Sequence, residues 1–191
     1  MKALHRLPAL LTNGIQSIAQ RPLSQWAIGR KTSAYRLTQS LRNSAVASVS
    51  SGHYWLDQRL PFKGWAVSQI NELSVDTYKT DYYELLTSIV RSTERAKQGV
   101  VLVDLDAEQA GEAHRAAHYW VKQGISANHL IMIEKGNLQD RLWTAQQLLQ
   151  CGSASTMILW GGTRPLPDKL EQAIQAAVKS SQAIVIWLSH V

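Results

Sequence analysis

Short apolar runs separated by amphipathic stretches constrain this chain more than any other feature. GVVLVDL (99–105), HLIMIEK (129–135), TMILWG (156–161) and AIVIWL (183–188) are rich in aliphatic and β-branched residues. Each is too short for a core helix, so they read as buried strands. Between them lie segments with apolar residues at spacings of three and four: YYELLTSIVRSTERAK (82–97), AEQAGEAHRAAHYWVKQG (107–124), LQDRLWTAQQLLQCG (138–152) and LPDKLEQAIQAAVKSS (166–181). These read as helices, with Gly99, Gly124 and Gly152 at their ends and Pro167 and Asp168 in the first turn of the last one. GWAVSQINEL (64–73) alternates as a strand does. Strand–helix repeated four times and closed by a fifth strand predicts a three-layer α/β/α fold. Its sheet is expected to be mostly parallel, with five strands or slightly more, preceded by an irregular N-terminal arm.

Residues 1–63 are less regular. A helix is expected near 9–20, then a loosely ordered basic connector near 30–50, with order returning at SGHYWLDQRLP. The chain therefore divides into a basic arm, 1–49, and a core domain, 50–191. A length of 191 residues suits one such core. Apolar residues at 45% and charged residues at 18% are ordinary for a water-soluble chain. No apolar run approaches the ~20 residues of a membrane span. The opening stretch is broken by Pro8, Asn13 and Gly14 and has no A-x-A-like cleavage site, so no signal peptide is expected. A single cysteine, Cys151, excludes an internal disulfide and a cysteine-rich zinc site, and a cytoplasmic protein is the expectation.

The net charge of +6 is unevenly spread. Residues 1–64 hold nine Lys/Arg and one acid, Asp57, so nine minus one gives +8; the remainder holds eleven bases and thirteen acids, a net of −2. Such an arm attracts phosphate backbones or an acidic protein surface, and a solvated arm is the plain alternative.

Ligands of parallel α/β sheets sit beyond the carboxyl ends of the strands, and the first strand-to-helix connection is the natural phosphate cradle. Here it is LSVDTYKTDYY (73–83). Against G-x-x-x-x-G-K-[ST], Lys79 and Thr80 stand like the closing pair, but Leu73 and Tyr78 replace the glycines. Their side chains would fill the space of the phosphates, and Asp76 and Asp81 add like charge. Asp104 and Asp106 could hold a metal or act as a base; the favoured role is a helix cap, with Asp106 placed for it. His114 and His118 lie one turn apart, yet Glu112 does not complete H-E-x-x-H and no third ligand is evident. Thr163-Arg164-Pro165 forms a polar loop with one cation, and no Ser or Cys nucleophile has a hydrolase setting. No catalytic residue, metal or cofactor is expected. Seven tryptophans (26, 55, 65, 120, 143, 160 and 187) should be core or edge residues in the main. Tyr119 and Trp120 are adjacent on a helix, about 100° apart, so one should reach the surface, where it would suit a protein contact.

The segment 50–73 resembles the approach to the nucleotide loop in RecA, with Ser51-Gly52, Leu56-Asp57 and Lys63-Gly64 as its elements. VVLVDLDAEQA (100–110) resembles the RecA strand carrying the catalytic carboxylate, with Asp106 in that place; Trp160 stands where the metal-linked Asp falls in another strand. A RecA-like core without a phosphate loop is similar to two bacterial SOS-response families, SulA and ImuA. RLWTAQQLLQCGSASTMILW (141–160), the Q-W-x-x-G around Trp26 and Leu56-Asp57 resemble ImuA; an end directly after the last strand resembles the compact SulA proteins. The ImuA resemblance implies a non-enzymatic accessory of error-prone translesion synthesis, with ImuB, a translesion polymerase or RecA as partner. The SulA resemblance implies a division inhibitor that binds FtsZ, through the second core strand and its following helix. There Tyr119 stands five before Gly124, and His129, five after it, replaces a basic residue. Partner contacts are expected at Leu105, Arg115, Tyr119, Trp120, His129 and Arg164, with a homodimer possible and no membrane. Two rivals remain: an ATPase using Lys79 and Thr80, and a nucleic-acid-binding module built on the arm.

Overall fold

A computed structural model describes residues 46–75, 82–105, 111–162 and 168–190. The expectations for the helix near 9–20, Trp26, Asp76, Tyr78, Lys79, Thr80, Asp81, Asp106 and Arg164 lie outside the described residues.

The described elements run β1 (Ser48–Val49), α1 (Tyr54–Asp57), β2 (Trp65–Ala66), β3 (Ile70–Val75), α2 (Tyr82–Arg95), β4 (Gly99–Asp104), α3 (Glu112–Lys122), a 3-10 turn (Ala127–His129), β5 (Leu130–Ile133), α4 (Leu138–Gln150), β6 (Ala154–Gly162), α5 (Asp168–Ser180) and β7 (Ile184–His190). β3 to β7 form a single sheet of order β3-β7-β6-β4-β5, and every pairing in it is parallel. The three-layer α/β/α expectation holds, with five strands.

Both faces of this sheet are buried, which is why its strands read as continuous apolar runs. Successive side chains point to opposite sides. Val100, Leu102, Ile158, Trp160, Ile184, Ile186 and Leu188 therefore pack with α2 and α3. Val101, Val103, Met157, Leu159 and Val185 pack with α4 and α5. Two helices on each face follow from one-handed crossovers: the chain steps from β3 through β4 to β5 in one direction, then returns through β6 to β7.

The segment 64–73 is not the single strand that its alternation predicts. Trp65–Ala66 pairs antiparallel with Ser48–Val49, and only Ile70–Val75 joins the main sheet. The chain turns between them, with Ser68 at φ 59°. The Asn71 carboxamide holds the turn: it accepts from the Ala66 N–H (2.8 Å) and donates to the carbonyls of Ala66 and Val185 (3.0 Å each). One amide side chain does what a strand partner would do, and alternation cannot reveal that. Gly52 begins the approach to α1 at φ 81°, and a Cβ there would lie 2.1 Å from the Ser88 hydroxyl of α2. The close approach fixes glycine after Ser51.

Candidate functional site

β4 and β6 are neighbours in the sheet, yet the helix after β4 lies on one face and the helix after β6 on the other. A crevice for ligand opens at the carboxyl ends of such a pair. Asp104 and Trp160 are directly paired there.

Asp104 is buried, and its two carboxylate oxygens accept from the backbone N–H groups of Gly111 and Ala113, each at 2.8 Å. It thereby caps α3, whose N-cap, Gly111, has no side chain for the purpose. Asp104 thus takes the capping role favoured for the strand-end acids, while Asp106 lies outside the described residues. Burial raises the Asp104 pKa, the two N–H groups oppose that rise, and the charges of Glu134 and Glu112 add to it.

Glu112, in the first turn of α3, gathers the rest. Its carboxylate accepts from the hydroxyls of Tyr82 (2.7 Å) and Tyr83 (2.5 Å), both at the start of α2, and from the Arg115 guanidinium one turn along α3. Trp160 donates its indole N–H to the Tyr82 oxygen at 3.2 Å. Trp120 donates to the Tyr83 carbonyl (3.1 Å) and to the Thr87 hydroxyl (3.2 Å). The Tyr82 and Tyr83 rings meet edge-on at 4.4 Å, and Tyr83 also contacts Tyr119 (5.6 Å) and Trp120 (6.2 Å). Burial opposes ionisation of Glu112, but the hydrogen bonds from Arg115, Tyr83 and Tyr82 outweigh it and hold its pKa below 4.5. The same burial pushes the Tyr82 phenol far up and the Tyr83 phenol up to about 12. At neutral pH the glutamate is ionised with its partners in place, and the phenols are protonated donors.

Behind Asp104 lies a buried arginine. Arg141 of α4 is 6% exposed, and its Nη1 donates to the Asp104 carbonyl while its Nε has no hydrogen-bond partner. Its position was legible, since it falls on the α4 stripe that also carries Leu138, Leu142 and Ala145. A charged residue on a core stripe signals a buried polar role. Glu112 was harder to find: its partners are thirty residues away, and only the adjacent Tyr82-Tyr83 pair hinted at a polar end to α2.

The residues expected at a partner surface do not converge. Leu105 and Trp120 are 5% and 0% exposed and belong to the core. Tyr119 is half-buried against Tyr83, and Arg115 is exposed while holding Glu112. His129 precedes β5, whose Leu130 pairs with Val100, whereas Leu105 follows the other end of β4. At ~3.3 Å per residue they sit about 20 Å apart, at opposite ends of the sheet. His114 and His118 are both exposed, with His114 Nδ1 4.0 Å from Glu134. Among the described residues no group of three or more His, Cys, Asp or Glu could hold a metal ion. Nor, among them, is any helix long and apolar enough to cross a membrane.

The fold is a three-layer α/β/α domain in which, among the described residues near the carboxyl ends of β4 and β6, Trp160, Tyr82, Tyr83, Asp104 and Glu112 are hydrogen-bonded to one another or to backbone. No protein-family model matches the sequence, and no curated protein matches it. Among solved structures it is similar to the crystal structure of SulA from Pseudomonas aeruginosa, with a TM-score of 0.47 and 18% identity, over 64% of this chain and 98% of that one.

Proposed function

We propose that this chain is not an enzyme and acts in the bacterial DNA-damage response by gripping another protein, in the ImuA-like role of an accessory to error-prone translesion synthesis. The observation that supports a non-catalytic role is that Asp104, Glu112, Tyr82 and Trp160, near the strand ends, are hydrogen-bonded within the fold. A phosphate placed beside Asp104 and Trp160 would meet two carboxylates, Asp104 and Glu112, and the buried Trp160–Tyr82–Glu112 chain of hydrogen bonds. Like charge and occupied volume both work against it. Titration calorimetry with Mg-ATP tests this directly, with no binding heat expected. Micromolar binding that is lost in Lys79→Ala would overturn the reading in favour of an ATPase.

The ImuA-like role itself rests on the resemblance of 141–160 and of Leu56-Asp57. Deleting the gene should abolish damage-induced mutagenesis, and expressing the protein in undamaged cells should leave division normal. A SulA-like inhibitor is the second reading. It is favoured by Arg115 and Tyr119, four residues apart on α3 and so on one side of that helix. Immediate filamentation on expression, suppressed by an FtsZ variant that resists SulA, would replace the first reading with the second.

A further inference from the structure

The two edges of the main sheet are finished differently. β3 forms one edge, and none of its six residues is exposed; the Asn71 side chain within it is bonded to the Ala66 backbone. β5 forms the other edge and, among the described residues, pairs with β4 alone. Its middle residues, Ile131 and Met132, are 38% and 44% exposed. Being consecutive in a strand, they present apolar surface on both faces of the sheet. An unpaired edge carries a row of free N–H and C=O groups, which proteins usually guard with a charge, a proline or a bulge. LIMI (130–133) has neither charge nor proline, and its register with β4 is unbroken from Leu130 to Ile133. Glu134, the first charge after it, lies beyond the ladder with its carboxylate 4.0 Å from the His114 ring of α3.

We infer that β5 is the interface between two copies of this chain, paired antiparallel about a two-fold axis perpendicular to the sheet. The two five-stranded sheets then join into one. Such an edge recognises an uncharged apolar strand that is itself unpaired on one side, and β5 meets that description. The axis sets side chains of the same face opposite one another, so either Ile131 or Met132 must face itself. With Ile131 on the axis, Leu130 stands against Met132 of the second copy, and the paired residues are all apolar. With Met132 on the axis, Leu130 would stand against Glu134, which would have to leave His114. The Ile131 register is therefore the one the strand favours. This pairing is independent of which other protein the chain grips.

Sedimentation equilibrium of the full chain between about 1 and 100 μM tests it, with a dimer expected at the upper end. Ile131→Lys sets like charges directly opposite each other and should weaken the dimer at least about tenfold. Circular dichroism should show that variant folded, because the side chain it replaces is exposed. Trp143→Lys alters a more exposed apolar residue (61%) on α4 and should leave the dimer intact. In a Cys151→Ser chain, a short thiol-to-thiol cross-linker should join two copies through Ile131→Cys and not through Trp143→Cys. A monomer throughout the range would overturn the proposal and leave β5 to an extended segment of a different protein. A dimer indifferent to Ile131→Lys, or one cross-linked through position 143 instead, would overturn it by placing the interface elsewhere.

Discussion

The two faces of the sheet are built from the same strands yet differ in kind. The α4/α5 face is aliphatic: Leu142, Ala145, Leu149, Ile174, Ala177 and Val178 close over Val101, Val103, Met157 and Leu159. The α2/α3 face carries Trp65, Trp120, Trp160, Tyr82 and Tyr83 in its core, with Glu112 tied into it through the tyrosine hydroxyls. Apart from the buried Arg141 of α4, which is bonded to the Asp104 carbonyl, the first face needs mainly volume and apolarity, and shape-conserving swaps among its aliphatic residues should be tolerated. The second adds directional bonds, each of which leaves a buried partner unsatisfied when cut. Burying acids near the strand ends asks for this second kind of packing, because the carboxylates and backbone groups there still need partners.

Substitutions can break or sharpen that contrast. The largest effect should come from Trp160→Ala. It removes a side chain 1% exposed at the sheet centre, together with its bond to Tyr82. A loss of about 3–5 kcal/mol in urea unfolding is expected. Leu142→Ala on the opposite face should cost about 3 kcal/mol, from transfer and cavity alone. If Leu142→Ala proved the costlier, the hydrogen-bonded face would have no special weight. Glu112→Gln keeps the volume but loses the charge that Arg115, Tyr82 and Tyr83 share, and should cost roughly 1–3 kcal/mol. Tyr83→Phe, which deletes one hydroxyl and leaves Tyr82 and Arg115 on the carboxylate, should cost about 1 kcal/mol.

Acid unfolding separates the two carboxylates by sign. The Glu112 pKa is lowered on folding, so its contribution is present above 4.5 and is lost as pH falls through the folded value. Glu112→Gln should therefore unfold with a shallower loss of stability on the acid side. The Asp104 pKa is raised, so its contribution is present below 3.8 and is lost as pH rises through the folded value. Asp104→Asn should steepen the acid-side loss. Both slopes are read from denaturation midpoints measured between pH 3 and 6 (about two units around the ordinary carboxylate values). Identical slopes in the two variants would mean that the carboxylates do not titrate in different environments.

Much of the fold was legible because both faces of the sheet are covered. Runs such as GVVLVDL and TMILWG have no polar alternative, and the glycines behind the helices mark where each turn falls. Helix and strand limits moved by a few residues, as with 107–124, where the described helix is Glu112–Lys122. The break within 64–73 was only faintly legible: Trp65 and Val67 alternate, Gln69 and Ile70 fall out of phase with them, and the turn itself is held by the Asn71 amide. The residues at the strand ends were partly visible. Trp160 stood where the RecA resemblance has an acid, and it is buried there. Which acid caps α3 and which binds the tyrosines could not be read, because Asp104, Glu112 and Tyr82 are far apart in sequence and their partners are set by the crossovers.

The sequence alone determined the layers and the number of core strands. Periodicity and residue type act locally, and burial on both faces leaves one way to satisfy them. Tertiary structure decided what the side chains at the strand ends do. It turned Asp104 into a cap, buried Trp120 while leaving Tyr119 half-covered, and placed His129 at the far end of the sheet from Leu105. Those outcomes depend on which strands become neighbours and on which face each helix returns, and long-range packing fixes both.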